Sequence, residues 1–168
     1  MSVELITYDP KYRQYFADLN YQWIEHYFEV EDEDRAALDH PDAYALDKGG
    51  EIFFVLEDGV PVGTVAIVPF QTQPADVSKN TLSANEPKIY ELAKMAVSPQ
   101  RQGRGYSKLL MQACIEFAQA NHATQIVLIT NDKLTPALTL YQKAGFKAAP
   151  TNTDQRYARG NLEMHLTF

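Results

Sequence analysis

A chain of 168 residues is long enough to bury one core, and its 45% apolar and 22% charged content is that of an ordinary globular protein. No apolar run approaches the ~20 residues that span a bilayer, the N-terminus lacks the basic and apolar regions of a signal peptide, and a single cysteine, Cys114, excludes an internal disulfide; a cytoplasmic protein without a membrane partner is expected. The net charge of −7 argues against a nucleic-acid partner, but its distribution is uneven: residues 1–58 hold 15 acids and 4 bases, residues 59–168 hold 7 and 11, so the later part suits an anion.

In chain order, Tyr12, Phe16, Leu19, Trp23 and Tyr27 recur at helical spacing behind Asp9-Pro10, an N-cap followed by proline in the first turn. "DEDRAALDHP" predicts a second, short helix that Pro41 ends. Ile52–Leu56 and Val62–Val68 predict a hairpin around Asp58-Gly59. Residues 70–88 show no periodicity and form a loop long enough to suggest a functional role. Ile89–Val97 reads as a strand, and the residues after Gly103 as a helix whose apolar stripe is Leu109, Leu110, Ala113, Cys114, Phe117 and Ala118. "QIVLIT" predicts a buried strand, "LTPALTLYQKAG" a helix closed by Gly145, and "NLEMHLTF" a final strand alternating Leu162, Met164 and Leu166. With no repeat or linker, residues 1–168 read as a single domain of mixed α/β (α+β) class. A parallel crossover joins the strands at 89–97 and 125–130.

Between the first of those strands and its helix lies "SPQRQGRGYSKLL". Glycines permit a tight turn, a helix start offers unpaired N–H groups, and Arg101 and Arg104 add charge, so the turn favours a phosphate or pyrophosphate. The P-loop pattern fails for want of a correctly placed glycine and lysine. The dinucleotide fingerprint fails where Lys108 replaces its third glycine.

The same stretch resembles the acyl-CoA-binding signature of the GNAT superfamily of N-acyltransferases. It is carried here by Gln102, Gly103, Arg104, Gly105, Tyr106 and Ser107 behind Val97-Ser98-Pro99, with Ser107 in place of the last small residue. "ALTLYQKAGF", Ala137 to Phe146, resembles a second segment of that family, and the order of elements matches throughout. The resemblance implies a mostly antiparallel, twisted sheet with one splayed parallel pair, flanked by helices. It implies acetyl-CoA as cosubstrate, its arm bonded to the backbone of the strand at Met95, Ala96 and Val97 and its pyrophosphate on the N–H groups of 102–107. "YELAKMAV" and "YARGNLEM" resemble family members acting on small-molecule amines.

Tyr141 stands where many members place a general acid, a role open to a phenol that stays neutral at pH 7. Its alternative is structural packing. Glu91 is the candidate general base by location, with a water relay, or a pairing to Lys94 or Arg159, as the other readings. The family's asparagine is replaced by Leu134, and Asn131 is the candidate substitute in contact with the cofactor arm. Acceptor binding is assigned to Trp23, Tyr27, Tyr157 and Arg159, the arginine orienting a carboxylate. The four histidines and one cysteine show no metal-ligand spacing, so no metal is expected. Cys114 reads as a core residue and no Gly-x-Ser-x-Gly elbow is present, which favours direct transfer. Two other functions fit the same residues: a protein or peptide N-acetyltransferase, and a CoA-binding sensor without turnover. Homodimers, common in the family, leave no mark on the sequence.

Overall fold

The computed structural model describes residues 1–70, 88–149 and 160–168. It opens on a strand absent from the sequence reading: β1 (Val3–Thr7) pairs antiparallel with β2 (Glu51–Glu57), Leu5 opposite Val55. As an edge strand it is mostly exposed, so no alternation marks it. Asp9 accepts the Lys11 N–H as the expected cap, but of a 3-10 turn, Pro10–Tyr12; α1 begins after it (Arg13–Tyr27). The next helix, α2 (Asp32–Leu38), stops before Pro41, which opens α3 (Pro41–Tyr44) rather than ending α2. Proline fits a first turn because that N–H has no helical partner anyway.

The hairpin forms as expected. Asp58 and Gly59 both take positive φ between β2 and β3 (Val60–Pro69), the conformation that matches strand twist. β3 pairs antiparallel with β4 (Ile89–Val97), and the register slips between Thr64 and Ala66, opposite Ala96 and Ala93. Lys94, at φ +56, lies in this bulge. The crossover helix α4 (Tyr106–Ala120) then leads to β5 (Gln125–Thr130), parallel to β4. α5 (Thr135–Ala144) ends on Gly145 at φ +105, followed by β6 (Lys147–Ala148) and β7 (Leu162–Thr167). The described strands form one sheet in the order β1-β2-β3-β4-β5-β7-β6.

Both faces of this sheet are covered, which is why β2 and β3 read as continuous apolar runs. Phe53, Val55, Ile67 and Leu128 share one core with Leu110 and Cys114 of α4. Ile52, Phe54 and Val68 face α1 and α2 with Phe16, Ile24 and Leu38. The stripe on α4 is narrower than expected. Leu110, Ala113, Cys114 and Ala118 are buried, but Leu109 lies one position, about 100°, off the line and is 43% exposed.

One break in the sheet sets the site. β4 and β5 pair over Ile89–Glu91 and Gln125–Val127. Beyond Glu91, β4 runs on to Val97 and β5 to Thr130 with a cavity between them.

Candidate active site

The cavity runs from one face of the sheet to the other. On the α1 side its walls are Asn20, Trp23, Ile24 and Phe28. Leu92–Met95 of β4 and Leu128–Thr130 of β5 form the middle, and Leu134, Ala137 and Tyr141 line the α5 side. Two groups that approach from opposite faces would therefore meet between the parted strands.

Glu91, on the cavity wall, is 3% exposed and pairs in register with Val68, whose side chain belongs to the α1-facing core. Tyr141 lies in the opposite core, with its ring edge-on to Phe146 at 6.1 Å. Burial pushes its phenol up to about 12, so its proton is held across the physiological range. Asn131 also lines the cavity; its side-chain oxygen accepts the Lys133 N–H at 2.9 Å in the turn that leads into α5. Leu134 is the residue just before α5, where it adds an apolar wall. Of the acceptor candidates, Trp23 lines the cavity, whereas Tyr27 is 47% exposed and stacks obliquely on Trp23 at 5.3 Å. Tyr157 and Arg159 lie outside the described residues, as does most of the predicted loop at 70–88.

The sequence offers Lys94 only as a partner for Glu91, yet it is part of the wall and its ammonium lies 2.9 Å from Asp34 of α2. The two side chains are 6% and 0% exposed, and Asp34 also accepts the Glu31 N–H at 2.8 Å. This buried pair ties α2 to the bulge of β4. The residues are 60 apart in sequence, and no local pattern reports such a contact.

At the far end of β4 the glycine turn precedes α4. Pro99–Arg101 form a 3-10 turn, and Gly103 and Gly105 take φ +82 and +81, Gly105 as the residue that caps α4. A Cβ built on either glycine would meet nothing within 4 Å, so their outer side is open. Glycine there gives α4 no capping side chain, and the positive end of a 15-residue helix faces the turn. The residues fit the phosphates of a CoA-type donor.

The arginines also meet an acid that the sequence reading does not pair with them. Arg101 Nε lies 2.8 Å from one oxygen of Glu57, and Arg104 lies 2.9 Å from the other, which also accepts the Tyr106 hydroxyl at 2.7 Å. The Tyr106 hydrogen bond, helped by both arginines, holds the Glu57 carboxyl below the usual carboxylate range despite its burial. The sequence reading assigns Glu57 no role: its three partners lie 44 to 49 residues away.

Comparisons with known proteins agree with this architecture. The model of the Acetyltransferase (GNAT) family matches residues 17–146. N-acetyltransferase 8 of Rattus norvegicus is 30% identical over 105 residues, 62% of this chain and 43% of that protein. The chain spans less than half the length of the curated relatives it matches. Among solved structures, a GNAT-family acetyltransferase of Staphylococcus aureus superposes with a TM-score of 0.80 at 16% identity, covering 99% of both chains. A Salmonella typhimurium acetyltransferase solved with acetyl-CoA gives 0.71 at 15% identity, covering 99% of this chain and 94% of its own.

Proposed function

The chain belongs to the GNAT family of acetyltransferases, and on that premise we propose that it is an acetyl-CoA-dependent N-acetyltransferase acting on the primary amine of a small molecule. One observation carries the reading: Glu91 and Tyr141, set on opposite faces of the sheet, open into one cavity between the parted strands.

Acetyl-CoA supplies an activated acetyl thioester. Transfer makes a nitrogen–carbon bond, breaks the carbon–sulfur bond, removes a proton from the amine and gives one to the departing sulfur. The edge of β4 beyond Glu91 offers the backbone of Met95, Ala96 and Val97 to the donor arm, with Asn131 on the wall beside it. Residues 102–107 offer N–H groups to the pyrophosphate. Tyr141 is protonated at physiological pH and lines the cavity, where its hydroxyl would donate to the departing sulfur. Glu91, on the amine side, takes the proton directly or through water. Trp23 and Phe28 line the α1 side of the cavity, from which the amine would approach.

The test is an acceptor panel with acetyl-CoA, read by thiol release. It includes small amines, amino acids and a peptide with a free N-terminus and lysine. Turnover with small amines supports the proposal; turnover with the peptide alone overturns the substrate class. Tyr141→Phe keeps the ring and is expected to lower kcat about 100-fold or more. Unchanged turnover removes Tyr141 from the chemistry.

A further inference from the structure

We propose that Glu57 is a positioning residue for the acyl donor: from the end of β2 it holds the glycine turn before α4 in the shape that receives a pyrophosphate. The proposal rests on the reading of residues 102–107 as the donor's phosphate seat. It adds a residue on a distant strand that touches neither donor nor acceptor.

One buried carboxylate, 7% exposed at its side chain, bonds three successive parts of the turn. Arg101 closes the 3-10 turn, Arg104 lies between the two left-handed glycines, and Tyr106 is the first residue of α4. Each bond is 2.7–2.9 Å long. The anchors therefore bracket Gly103 and Gly105, the two residues with the most freedom to lose when the turn is ordered. A turn that is already ordered spares the donor that cost, and preorganisation of this kind appears as affinity. Glu57 also reaches the turn from across the sheet, so the shape of the seat depends on the β2–β3 hairpin as well as on α4.

A carboxylate near an anion site acts in two opposed ways. It orders the arginines, and it cancels part of their charge. Here both oxygens are spent on donors of the turn, and the carboxylate is buried while the arginine side chains are 37% and 40% exposed. Ordering is the effect that dominates.

Glu57→Gln separates the two. Acetyl-CoA is compared with acetyl-pantetheine, a donor that ends before the pyrophosphate. The expected result is a KM for acetyl-CoA, and a Kd for CoA by calorimetry, raised about tenfold. kcat stays within about twofold and the KM for acetyl-pantetheine is unchanged. Tyr106→Phe removes one of the three bonds and is expected to give a smaller shift in the same direction; it serves as the test if Glu57→Gln does not fold. Equal losses with both donors would assign Glu57 to general stability and overturn the proposal. An unchanged or lowered KM for acetyl-CoA would show that the carboxylate only offsets charge, and also overturns it. Gly105→Val forces a branched residue to φ +81. If it leaves CoA binding intact, the phosphate seat itself is wrong and both readings fall. If Gly105→Val abolishes binding while Glu57→Gln does nothing, only the role of Glu57 falls.

Discussion

Tyr141 and Tyr106 are both buried phenols, and their surroundings give them different tasks. Burial raises Tyr141 to about 12, whereas Tyr106 is raised first by its hydrogen bond to Glu57. A group raised above its ordinary value of 10 favours its protonated form in the fold. Its contribution is whole below pH 10 and is lost as pH climbs through about 12. An alkaline limb in the kcat profile below pH 10 therefore belongs to another group. Tyr141→Phe is expected to lower the plateau and leave that limb in place; its disappearance would contradict the assignment. Glu57 runs the other way. Its lowered value makes its hold on the turn complete above the ordinary carboxylate range and lost only in acid below it. Cys114, fully buried, has its thiol pushed far up by the same desolvation. An aromatic disulfide reagent is expected to find no thiol in the native protein and one per chain in denaturant; prompt native reaction would refute that burial. Lys94→Met would leave the buried Asp34 carboxylate without its lysine, with an expected loss of about 3–5 kcal/mol in urea unfolding. Tyr141 was legible in the sequence because its surroundings, Ala137 to Phe146, form one contiguous segment. Glu57 and the Asp34–Lys94 pair were not, since their partners lie 44 to 60 residues away.

Helix α4 shows how far an apolar pattern reaches at the level of an element. Its period marked the helix and the buried line through Leu110, Cys114 and Ala118, but it assigned Leu109 to the same stripe. Two substitutions separate these neighbours. Leu110→Ala empties a fully buried site and is expected to cost about 2–5 kcal/mol. Leu109→Ala, with 43% of the residue in solvent, is expected to cost well under 1 kcal/mol. Equal costs by urea denaturation would restore the wider stripe. The elements that escaped the sequence reading escaped for related reasons. β1 buries too little to alternate, and β6 has two residues. Pro41 is compatible with a helix end and with a helix start, and only the stop at Leu38 decides between them. The parting of β4 and β5 was expected from the family resemblance. The bulge at Lys94 gives it a local companion, because a residue at φ +56 bends β4 at the cavity wall.

For the molecule as a whole, that parting divides the sheet into two parts of unequal strength. β1 to β4 are joined by long antiparallel ladders, and β5 is joined to β7 over six residues. The seam between β4 and β5 is three residues of parallel pairing, supplemented by α4. A donor lying in the gap would touch both sides of this short ladder and the turn that starts α4. Such a ligand binds the native state alone, so it shifts unfolding by mass action: about 2.7 kcal/mol at 100 times Kd. A domain of this size gains about 2–4 °C per kcal/mol, so saturating CoA is expected to raise Tm by roughly 5–10 °C. The specificity of the shift matters as much as its size. The chain carries −7 overall, so an anion gains nothing from the net charge and must find the local seat. Pantetheine, which reaches the gap but not the turn, should give a smaller shift at equal concentration, and inorganic phosphate less than either. A shift from phosphate equal to that from CoA would mean that the gap contributes no binding. A shift from pantetheine equal to that from CoA would mean that the turn contributes none.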